Sequence, residues 1–521
     1  MNADFRIARC VHAVWLVLPG CLLACRPSPR LENPNGASFD QAGFSVAIDG
    51  NVAIVGVPKS DTLESNGGKA LIYSGSGTSW SLGHTIVPST PSHGAEFGWS
   101  VDIAVDRAIV GAFTDASLGA ITGGAYIFER SAGVWTESAR IFGDSTEADA
   151  FGISVAIDGD HAVVGAPFAP PPFFTGAGAA WVYRRNPGGQ WVRQVQLEAS
   201  DAIDYIEFGY SVAIDGDVIV VGAQRGVSAG TVGGAAYVFR RVGNNWSEEA
   251  KLTALDPAEH DFFGSSVSAQ GDVIVVGAKE DDPNGDGSGS AYVFRRDVPT
   301  GEWSQRQKLV AGDGNAGDNF GRSVAVDGPR IMIGAWLADG DTGTTGAAYL
   351  FRASLSDWQS GDKLFMSNGE YGDGFGFSVS VSADCAIVGA VNDEAGGFEQ
   401  IGAAFIYCGL PGAAPPGFTF EIICCVEIPD PLGPVVATTR IVNGSRGVRV
   451  GRRWVEWIDA QGMATVVTGP EAMTVAPDEA REERHVLPQG ARLGGRLVLH
   501  WQDEQGVRSS ATTLAPRGPA R

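Results

Sequence analysis

The sequence predicts an all-β protein, a seven-bladed β-propeller of four-stranded antiparallel blades followed by a small β-sandwich-like domain. Three observations predict this fold. A segment typified by residues 208–223 recurs seven times along the chain. Within each copy, apolar and polar residues alternate as they do in half-buried strands. The 72 glycines follow no three-residue period, which indicates many turns between short strands.

A serine, and a glycine eleven residues after it, mark every copy of the repeat. Successive serines are 54–57 residues apart, and the offset to the glycine holds in all seven copies, which excludes chance. The serines are Ser45, Ser100, Ser154, Ser211, Ser266, Ser323 and Ser378. The glycines are Gly56, Gly111, Gly165, Gly222, Gly277, Gly334 and Gly389.

Each copy contains the strands of one blade. In several copies the first strand ends in Asp-Gly, as at Asp215-Gly216, which is a strong signal for a two-residue hairpin turn. The β-branched run 218–223 is typical of strand two, residues 236–239 of strand three, and a tryptophan such as Trp246 begins strand four. Because one blade cannot bury both faces alone, neighbouring blades must stack around an axis.

A further strand is needed to complete blade seven, because only six tryptophan-bearing fourth strands follow the seven copies. Leu31 precedes the serine of its copy by 14 residues, as Leu252 does. This spacing predicts that residues 27–33 form the missing strand and close the ring. Residues 418–423 are the alternative.

The repeat resembles the FG-GAP family, whose best-known members are the propellers of integrin α chains. The matching residues are Phe-Gly-x-Ser-Val at 97–101, 151–155 and 208–212, and Val-Gly-Ala-Pro at 164–167. The resemblance covers residues 27–408 and implies a closed propeller. It also implies calcium in carboxylate-rich loops between strands one and two. In this chain that loop has shrunk to Asp-Gly, so those family ligands cannot be carried over.

Four segments are predicted along the chain. Residues 1–25 form an export signal, 26–408 the propeller, 409–417 a linker, and 418–521 a β-rich domain. The last segment contains alternating runs that are typical of half-buried strands, and an immunoglobulin-like fold is one interpretation of it.

The N-terminal segment predicts export. A basic start is followed by an apolar stretch, residues 11–24, that is shorter than the roughly 20 residues needed to span a bilayer. Its end, Leu-Leu-Ala-Cys, resembles a bacterial lipobox and predicts lipidation of Cys25; a cleaved signal without a lipid, or neither, are the alternatives. We expect the protein at the cell surface, in the periplasm or outside the cell, with membrane contact only through this lipid anchor.

The formal net charge of the chain is -23. Residues 409–521 contain 12 Arg, no Lys and 12 Asp plus Glu, so they sum to zero and the excess lies in residues 1–408. An acidic surface repels phosphate backbones, which excludes nucleic acid as the expected partner.

A disulfide is predicted between Cys385 and Cys408. Cys385 begins the second strand of blade seven and Cys408 ends the third, and antiparallel pairing would place them side by side. Cys424 and Cys425 are alternative partners for Cys408. A disulfide requires an oxidising compartment, which export supplies.

One loop carries a calcium-like pattern. Asp282, Asn284 and Asp286 match the opening of a D-x-N-x-D-G calcium loop, in which oxygens at alternate positions converge on one ion. Position twelve of the loop is Val293 rather than Glu. Calcium is therefore one interpretation, and a solvated acidic turn is the other.

The loops between strands two and three are nearly constant in length and varied in content. A fixed scaffold with varied loops on one face is how a binding surface is built. We predict a ligand-binding face that includes Phe173, Phe174, Arg225 and Trp336. Packing of the two phenylalanines onto the neighbouring blade is the alternative.

The leading functional hypothesis is an exported, non-enzymatic recognition or adhesion module that binds a protein or a glycan on one propeller face. A structural envelope protein is one alternative. The other is a hydrolase of extracellular polymers that uses an acidic loop cluster. The cluster comprises Asp281, Asp282, Asp339, Asp341, Asp393 and Glu394.

Overall fold

The computed structural model describes residues 30–514, with gaps at 120, 144–148, 170–174, 229, 341–342, 355–356, 367–368, 395–398, 411–417, 428–435, 444–448, 459–463, 476–478, 487–495 and 504–507. The predicted export signal with Cys25 and most of the predicted linker lie outside the described residues. The chain divides into two compact units, one built from strands up to residue 410 and one mainly from residues 411–521.

The first unit is a seven-bladed β-propeller whose blades are four-stranded antiparallel sheets. It begins with β1 (Arg30–Leu31), followed by blade one, β2 (Val46–Asp49), β3 (Val52–Val57), β4 (Lys69–Ser76) and β5 (Ser79–Ile86). Blades two and three are β6 (Ser100–Ala104), β7 (Arg107–Ala112), β8 (Gly124–Ser131), β9 (Val134–Phe142), and β10 (Ser154–Asp158), β11 (His161–Ala166), β12 (Ala179–Arg185), β13 (Trp191–Leu197). Blades four and five are β14 (Phe208–Asp215), β15 (Val218–Ala223), β16 (Ala235–Val242), β17 (Asn245–Leu252), and β18 (Phe263–Gln270), β19 (Val273–Ala278), β20 (Ser290–Arg296), β21 (Trp303–Leu309). Blades six and seven are β22 (Ser323–Asp327), β23 (Arg330–Ala335), β24 (Ala347–Ala353), β25 (Trp358–Leu364), and β26 (Phe375–Ser382), β27 (Cys385–Ala390), β28 (Ala403–Cys408).

The N-terminal strand closes the ring. Strand β1 pairs antiparallel with β28, with Leu31 opposite Ala404. The side chain of Leu31 is buried, and the Arg30 guanidinium forms an ion pair with Asp393 of blade seven at 2.5 Å. The sequence-based choice of the N-terminal segment is therefore confirmed, and the alternative at residues 418–423 is wrong, because that strand belongs to a sheet of the second unit.

Blade seven also contains a disulfide. Cys385 and Cys408 lie directly opposite each other in the pairing of β27 with β28, and their sulfur atoms are bonded. This is the pairing predicted from the sequence, and it rests on the antiparallel register.

The repeat serine joins each blade to the next. Ser211 Oγ donates to the carbonyl oxygen of Gly264, the Phe-Gly glycine of blade five, at 2.8 Å. Ser378 of blade seven makes the same bond to Gly43 of blade one, also at 2.8 Å, so the last junction of the ring resembles the internal ones. The same bond is made by Ser45, Ser100, Ser154 and Ser266.

The repeat glycine is explained by the same junction. Gly222 lies opposite Ser211 in the register of β14 and β15. A Cβ atom on Gly222 would come closer than 3.0 Å to both the Gly264 carbonyl oxygen and Ser211 Oγ. The offset of eleven residues therefore has a structural reason. The serine donates a hydrogen bond to a carbonyl of the next blade, and the glycine opposite it in the hairpin leaves room for that carbonyl.

The Asp-Gly turns lie at the opposite end of the ring. Their aspartates accept hydrogen bonds from backbone N–H groups of the next blade's turn, as Asp158 does from Gly216 at 2.7 Å and Asp215 from Gly271 at 2.6 Å. These carboxylates therefore link neighbouring blades, which a charged acceptor does more strongly than a neutral one.

Asp102 lies near this end and is expected to make the stability of the propeller pH-dependent. Its carboxylate accepts the backbone N–H groups of Ile103 and Ile157 at 2.9 and 2.7 Å. Burial, assisted by the carboxylates of Asp158 and Asp49, raises the pKa of Asp102 to about 7. Because this pKa lies above that of an unfolded aspartate, the folded state binds the proton more tightly, and stability is lost as the pH rises through about 7.

Replacing Asp102 with serine should flatten this pH dependence. Serine occupies the equivalent position in blade five, where Ser268 Oγ accepts the N–H of Val326 at 3.1 Å. We expect the melting temperature of the wild-type protein to fall between about pH 5 and pH 8, and that of Asp102→Ser to fall by roughly 1–3 °C less. Glu64→Ser removes an exposed carboxylate and should behave as the wild type. An equal fall in all three proteins would contradict the assignment.

The second unit contains two antiparallel sheets in the residues that the structure describes. One has the order β29 (Phe418–Glu427), β30 (Val436–Asn443), β33 (Glu479–Val486), and the other the order β32 (Ala464–Val475), β31 (Arg449–Ile458), β34 (Arg496–Asp503), β35 (Arg508–Leu514). The segment is rich in strands, and its immunoglobulin-like arrangement stays a prediction. Across the described residues of both units, no helix has the length and apolar character needed to cross a bilayer.

Candidate functional site

The two ends of the propeller carry different loops. At one end, strand one begins with Phe-Gly and strand two ends, so the loops between strands two and three and between consecutive blades emerge there. We call this end the Phe-Gly face. The other end carries the hairpin turns between strands one and two and between strands three and four, and we call it the hairpin face.

Exposed aromatic and aliphatic side chains are concentrated on the Phe-Gly face. Among the described residues, its loops expose Phe39, Leu63, Leu118, Ile121, Phe168, Ile203, Tyr205, Val232, Leu255 and Tyr371. Among the described residues, the turns of the hairpin face expose only valines from this class of side chain, namely Val105, Val134, Val242 and Val298. Since exposed apolar groups that cluster mark interaction sites, this asymmetry points to the Phe-Gly face.

Five half-buried aromatic rings form a continuous series around the axis at this face. Phe113 contacts Trp99 with ring centroids 4.5 Å apart, and Trp99 contacts Phe44 at 4.2 Å. Phe44 contacts Phe377 at 4.9 Å, and Phe377 contacts Trp336 at 5.4 Å. We call these five residues the aromatic arc.

Two positions of the repeat produce the aromatic arc. Phe44, Trp99 and Phe377 occupy the variable position of Phe-Gly-x-Ser, at the start of the innermost strand. Phe113 and Trp336 directly follow the Gly-Ala that ends strand two. The rings come from blades six, seven, one and two, so the arc spans the junction at which blade seven meets blade one.

Asn319 fixes Trp336 within the arc. The indole Nε1 of Trp336 donates to Asn319 Oδ1 at 3.1 Å. The Asn319 amide in turn donates to the backbone carbonyls of Lys279 and Gly287 in the adjacent loop of blade five, at 3.2 Å each. The ring of Trp336 is thus held by a buried amide whose position depends on two blades.

Basic side chains continue the circle beyond Trp336. The Arg322 guanidinium lies 4.2 Å from the ring centroid of Phe377, and Lys279 Nζ lies 5.5 Å from that of Phe262. Burial lowers the pKa of Arg322, and burial together with repulsion from Arg322 lowers the pKa of Lys279, although Glu280 and Glu207 act in the opposite sense. Both cations therefore lie in partly desolvated positions on neighbouring blades.

Blade four contributes a polar group to the mouth. Glu207 is buried and accepts a hydrogen bond from Gln224 at 2.6 Å. Its other oxygen forms an ion pair with Arg225 at 3.1 Å. Tyr210 lies at the Phe-Gly-x-Ser position of this blade and is half-buried. The mouth of the ring is therefore aromatic on one side, and basic and polar on the other.

The structure describes two of the four residues predicted for a ligand-binding face. Trp336 belongs to the aromatic arc, and Arg225 lies exposed beside Glu207 on the polar side. Phe173 and Phe174 lie outside the described residues. The sequence prediction missed the other four rings of the arc and the two cations. Comparing the seven copies at the variable position of Phe-Gly-x-Ser would have shown that most of them carry a large side chain there.

The calcium-like loop is closed by its own hydrogen bonds. Asp282 Oδ1 accepts the N–H of Gly287 at 2.7 Å, and the Asn284 amide donates to the carbonyl of Ala311 at 3.0 Å. In the part of the chain that the structure describes, no group of three or more His, Cys, Asp or Glu side chains is arranged to hold a metal. Calcium binding at Asp282, Asn284 and Asp286 stays a prediction.

The acidic residues of the hydrolase alternative are engaged separately. Asp281 accepts a hydrogen bond from the Tyr292 hydroxyl at 2.9 Å and pairs with Lys308 at 2.7 Å. Asp393 pairs with Arg30 in the ring-closing strand, and Asp339 accepts from Thr344 at 3.1 Å. These carboxylates belong to different blades and have different partners.

All seven repeats match a known family. A family model described as an FG-GAP repeat matches residues 29–73, 80–128, 135–183, 191–239, 246–294, 303–351 and 358–407. The chain belongs to the FG-GAP repeat family. Each matched FG-GAP repeat begins with strand four of one blade and ends with strand three of the next. The first match begins just before β1, in agreement with the closure of blade seven by the N-terminal strand.

Several solved structures resemble this FG-GAP repeat protein at low identity. Sqt1 from Saccharomyces cerevisiae is 10% identical with a TM-score of 0.39, over 80% of this chain and 96% of that one. A fungal alcohol oxidase of the AA5 family in complex with copper is 13% identical with a TM-score of 0.43, over 94% and 99%. The extracellular domain of a putative hybrid two-component system from B. thetaiotaomicron is 10% identical with a TM-score of 0.39, over 92% of this chain and about half (52%) of that one. No curated protein matches the chain.

Proposed function

We propose that this protein is an exported, non-enzymatic recognition module that binds a glycan or protein ligand at the Phe-Gly face. The aromatic arc carries this proposal. Five contiguous, half-buried rings in a partly enclosed position are the kind of surface on which binding energy concentrates, because large aromatic side chains gain much contact area and lose little conformational freedom.

Two features of the propeller support the recognition role. The arc occupies positions that differ among the blades, whereas the junctions that hold the blades together repeat around the ring. Of the large hydrophobic side chains that are exposed in the described residues, most lie in the loops around the arc. A repeated scaffold that presents varied side chains on one face is suited to binding, and the separate engagement of Asp281 and Asp393 supports a non-enzymatic role.

The disulfide supports export. A bond between Cys385 and Cys408 persists in an oxidising compartment and is rare in the reducing cytosol. The predicted signal at residues 1–25 accounts for transfer to such a compartment. The two together support a location at the cell surface, in the periplasm or outside the cell.

Removing two rings of the arc should abolish binding. The labelled protein is applied to a glycan array and to an array of extracellular protein fragments. For ligands bound by the wild type, we expect Trp99→Ala with Trp336→Ala to weaken binding by at least about a hundredfold, since aromatic hot spots each contribute about 2 kcal/mol or more.

Val242→Ala is the matched control. Val242 is an exposed apolar side chain on the hairpin face, so its removal should leave binding unchanged. Circular dichroism and thermal melting establish that both variants keep the fold. Binding that survives the double substitution, or that is lost with Val242→Ala, would contradict a site at the aromatic arc.

A further inference from the structure

The two cations on the basic side of the mouth stack on aromatic rings and, within the described residues, make no ion pair with a carboxylate. Glu280 and Glu207 attract Lys279 without forming an ion pair with it, and Glu207 is already bonded to Arg225 and Gln224. Partly buried cations without an ion-pair partner favour an anionic ligand that replaces the water they have lost.

The negative charge of the whole chain narrows the kind of anion that these two cations can bind. The net charge is -23, so the protein as a whole repels polyanions. Arg322 of blade six and Lys279 of blade five nevertheless place two positive charges on neighbouring blades at the mouth. Such a local cation pair within an acidic body fits a ligand that presents an isolated anionic group at a defined position. It does not fit a strongly charged polymer held by long-range attraction.

The backbone at the mouth favours a ligand recognised by side chains. The Phe-Gly glycines use their main-chain groups within the ring: the N–H of Gly98 donates to Gly111 at 3.0 Å, and its carbonyl accepts from Ser45. An extended peptide gains much of its affinity by pairing with a free strand edge. At this position the described glycine backbone offers no such row, whereas aromatic rings and cations face the axis.

We propose that the mouth of the propeller binds an acidic saccharide, one that carries a carboxylate or sulfate on a sugar ring. The inference rests on the proposed recognition function and specifies its ligand. The aromatic arc packs against the apolar C–H face of one or more sugar rings. Arg322 and Lys279 bind the anionic substituent, and the Arg322 guanidinium is already oriented by its stacking on Phe377.

Matched pairs of saccharides test the anionic requirement. The probes are a short α-1,4-linked oligogalacturonate and its methyl ester, and a sulfated oligosaccharide and its desulfated form. Each pair differs in charge and keeps the same sugar rings. Binding is measured by titration calorimetry at low salt. We expect at least one acidic member to bind at least about tenfold more tightly than its neutral partner.

Arg322→Gln is the diagnostic variant. It should weaken binding of the acidic member at least about tenfold and leave the neutral member unchanged, because only the charge contact is removed. Arg140→Gln is the control, since this partly exposed arginine lies in the outer strand of blade two. It should bind both members as the wild type does.

Each other outcome identifies what is wrong. Equal binding of charged and neutral members, or equal effects of Arg322→Gln on both, would overturn the anionic inference and leave the recognition function in place. Binding of an aspartate-rich peptide with the same dependence on Arg322, and of no saccharide, would replace the saccharide by a peptide. If no saccharide binds, the inference is wrong, and the array experiment with the ring variants then decides the recognition function independently.

Discussion

Gly222→Ala is expected to destabilise the propeller by about 3 kcal/mol or more, although it adds a single methyl group. The new Cβ would collide with the Gly264 carbonyl oxygen of the next blade and with Ser211 Oγ. Ser211 can rotate, but the carbonyl belongs to the backbone and already accepts the hydrogen bond that joins the two blades. The clash can be relieved only by moving the blades apart, which also breaks that bond. The measurement is urea unfolding followed by tryptophan fluorescence.

Gly312→Ala is the control for this substitution. Gly312 is exposed, and a Cβ there would meet nothing within 4 Å. Alanine at this position should change the free energy of unfolding by no more than about 0.5 kcal/mol. Similar unfolding midpoints for Gly222→Ala and the wild type would show that the junction between blades is looser than the structure has it.

Leu31→Asp is expected to have a comparable effect on stability, at least about 3 kcal/mol, because it places a charge in a closed apolar site. Leu31 is 3% exposed and packs in a cluster with Ile387 and Ala404 of blade seven and Val55 of blade one. The substitution therefore acts on β1, which among the described strands is the only one that joins its blade from a distant part of the chain. It should also weaken ligand binding, since Phe44 and Phe377 meet across the same junction.

Leu63→Asp is the matched control, since it makes the same chemical change on an exposed loop of blade one, where Leu63 is 50% exposed. Its free energy of unfolding should remain within about 0.5 kcal/mol of the wild type. Thermal melting and the array measurement of binding together distinguish the two variants. Unaltered melting of Leu31→Asp would mean that blade seven is stable without β1.

The blade structure could be predicted from the sequence because it depends on local patterns. Apolar alternation, Asp-Gly turns and the offset from Ser211 to Gly222 all lie within one hairpin. The same regularity predicted the partner of Cys385, because the register of two adjacent strands fixes which residues lie side by side. Spacing also predicted the ring-closing role of residues 27–33.

The site could not be predicted because it is formed between copies of the repeat. Phe44 and Trp99 are one repeat apart in sequence, and Phe377 meets Phe44 only when the ring closes. Each stands at a position that varies from copy to copy, so no single copy marks it. The variation among the loops predicted Trp336 and Arg225 as site residues. Arg322 lies in the Phe-Gly-x-Ser motif at the start of a strand, and the sequence indicates only a packing role for that motif.

The most direct test of the closed ring is a disulfide cross-link between β1 and β28. Arg30 lies opposite Phe405 in their pairing, so Arg30→Cys with Phe405→Cys should form an intramolecular bond under mild oxidation, identified by mass spectrometry of the digested protein. Arg30→Cys with Val242→Cys serves as the comparison, since Val242 lies in blade four of the same unit, at the end of β16. The structure predicts a bond in the first pair and none in the second. A bond in the second pair, or in neither, would contradict closure by the N-terminal strand and with it the assembly of the aromatic arc.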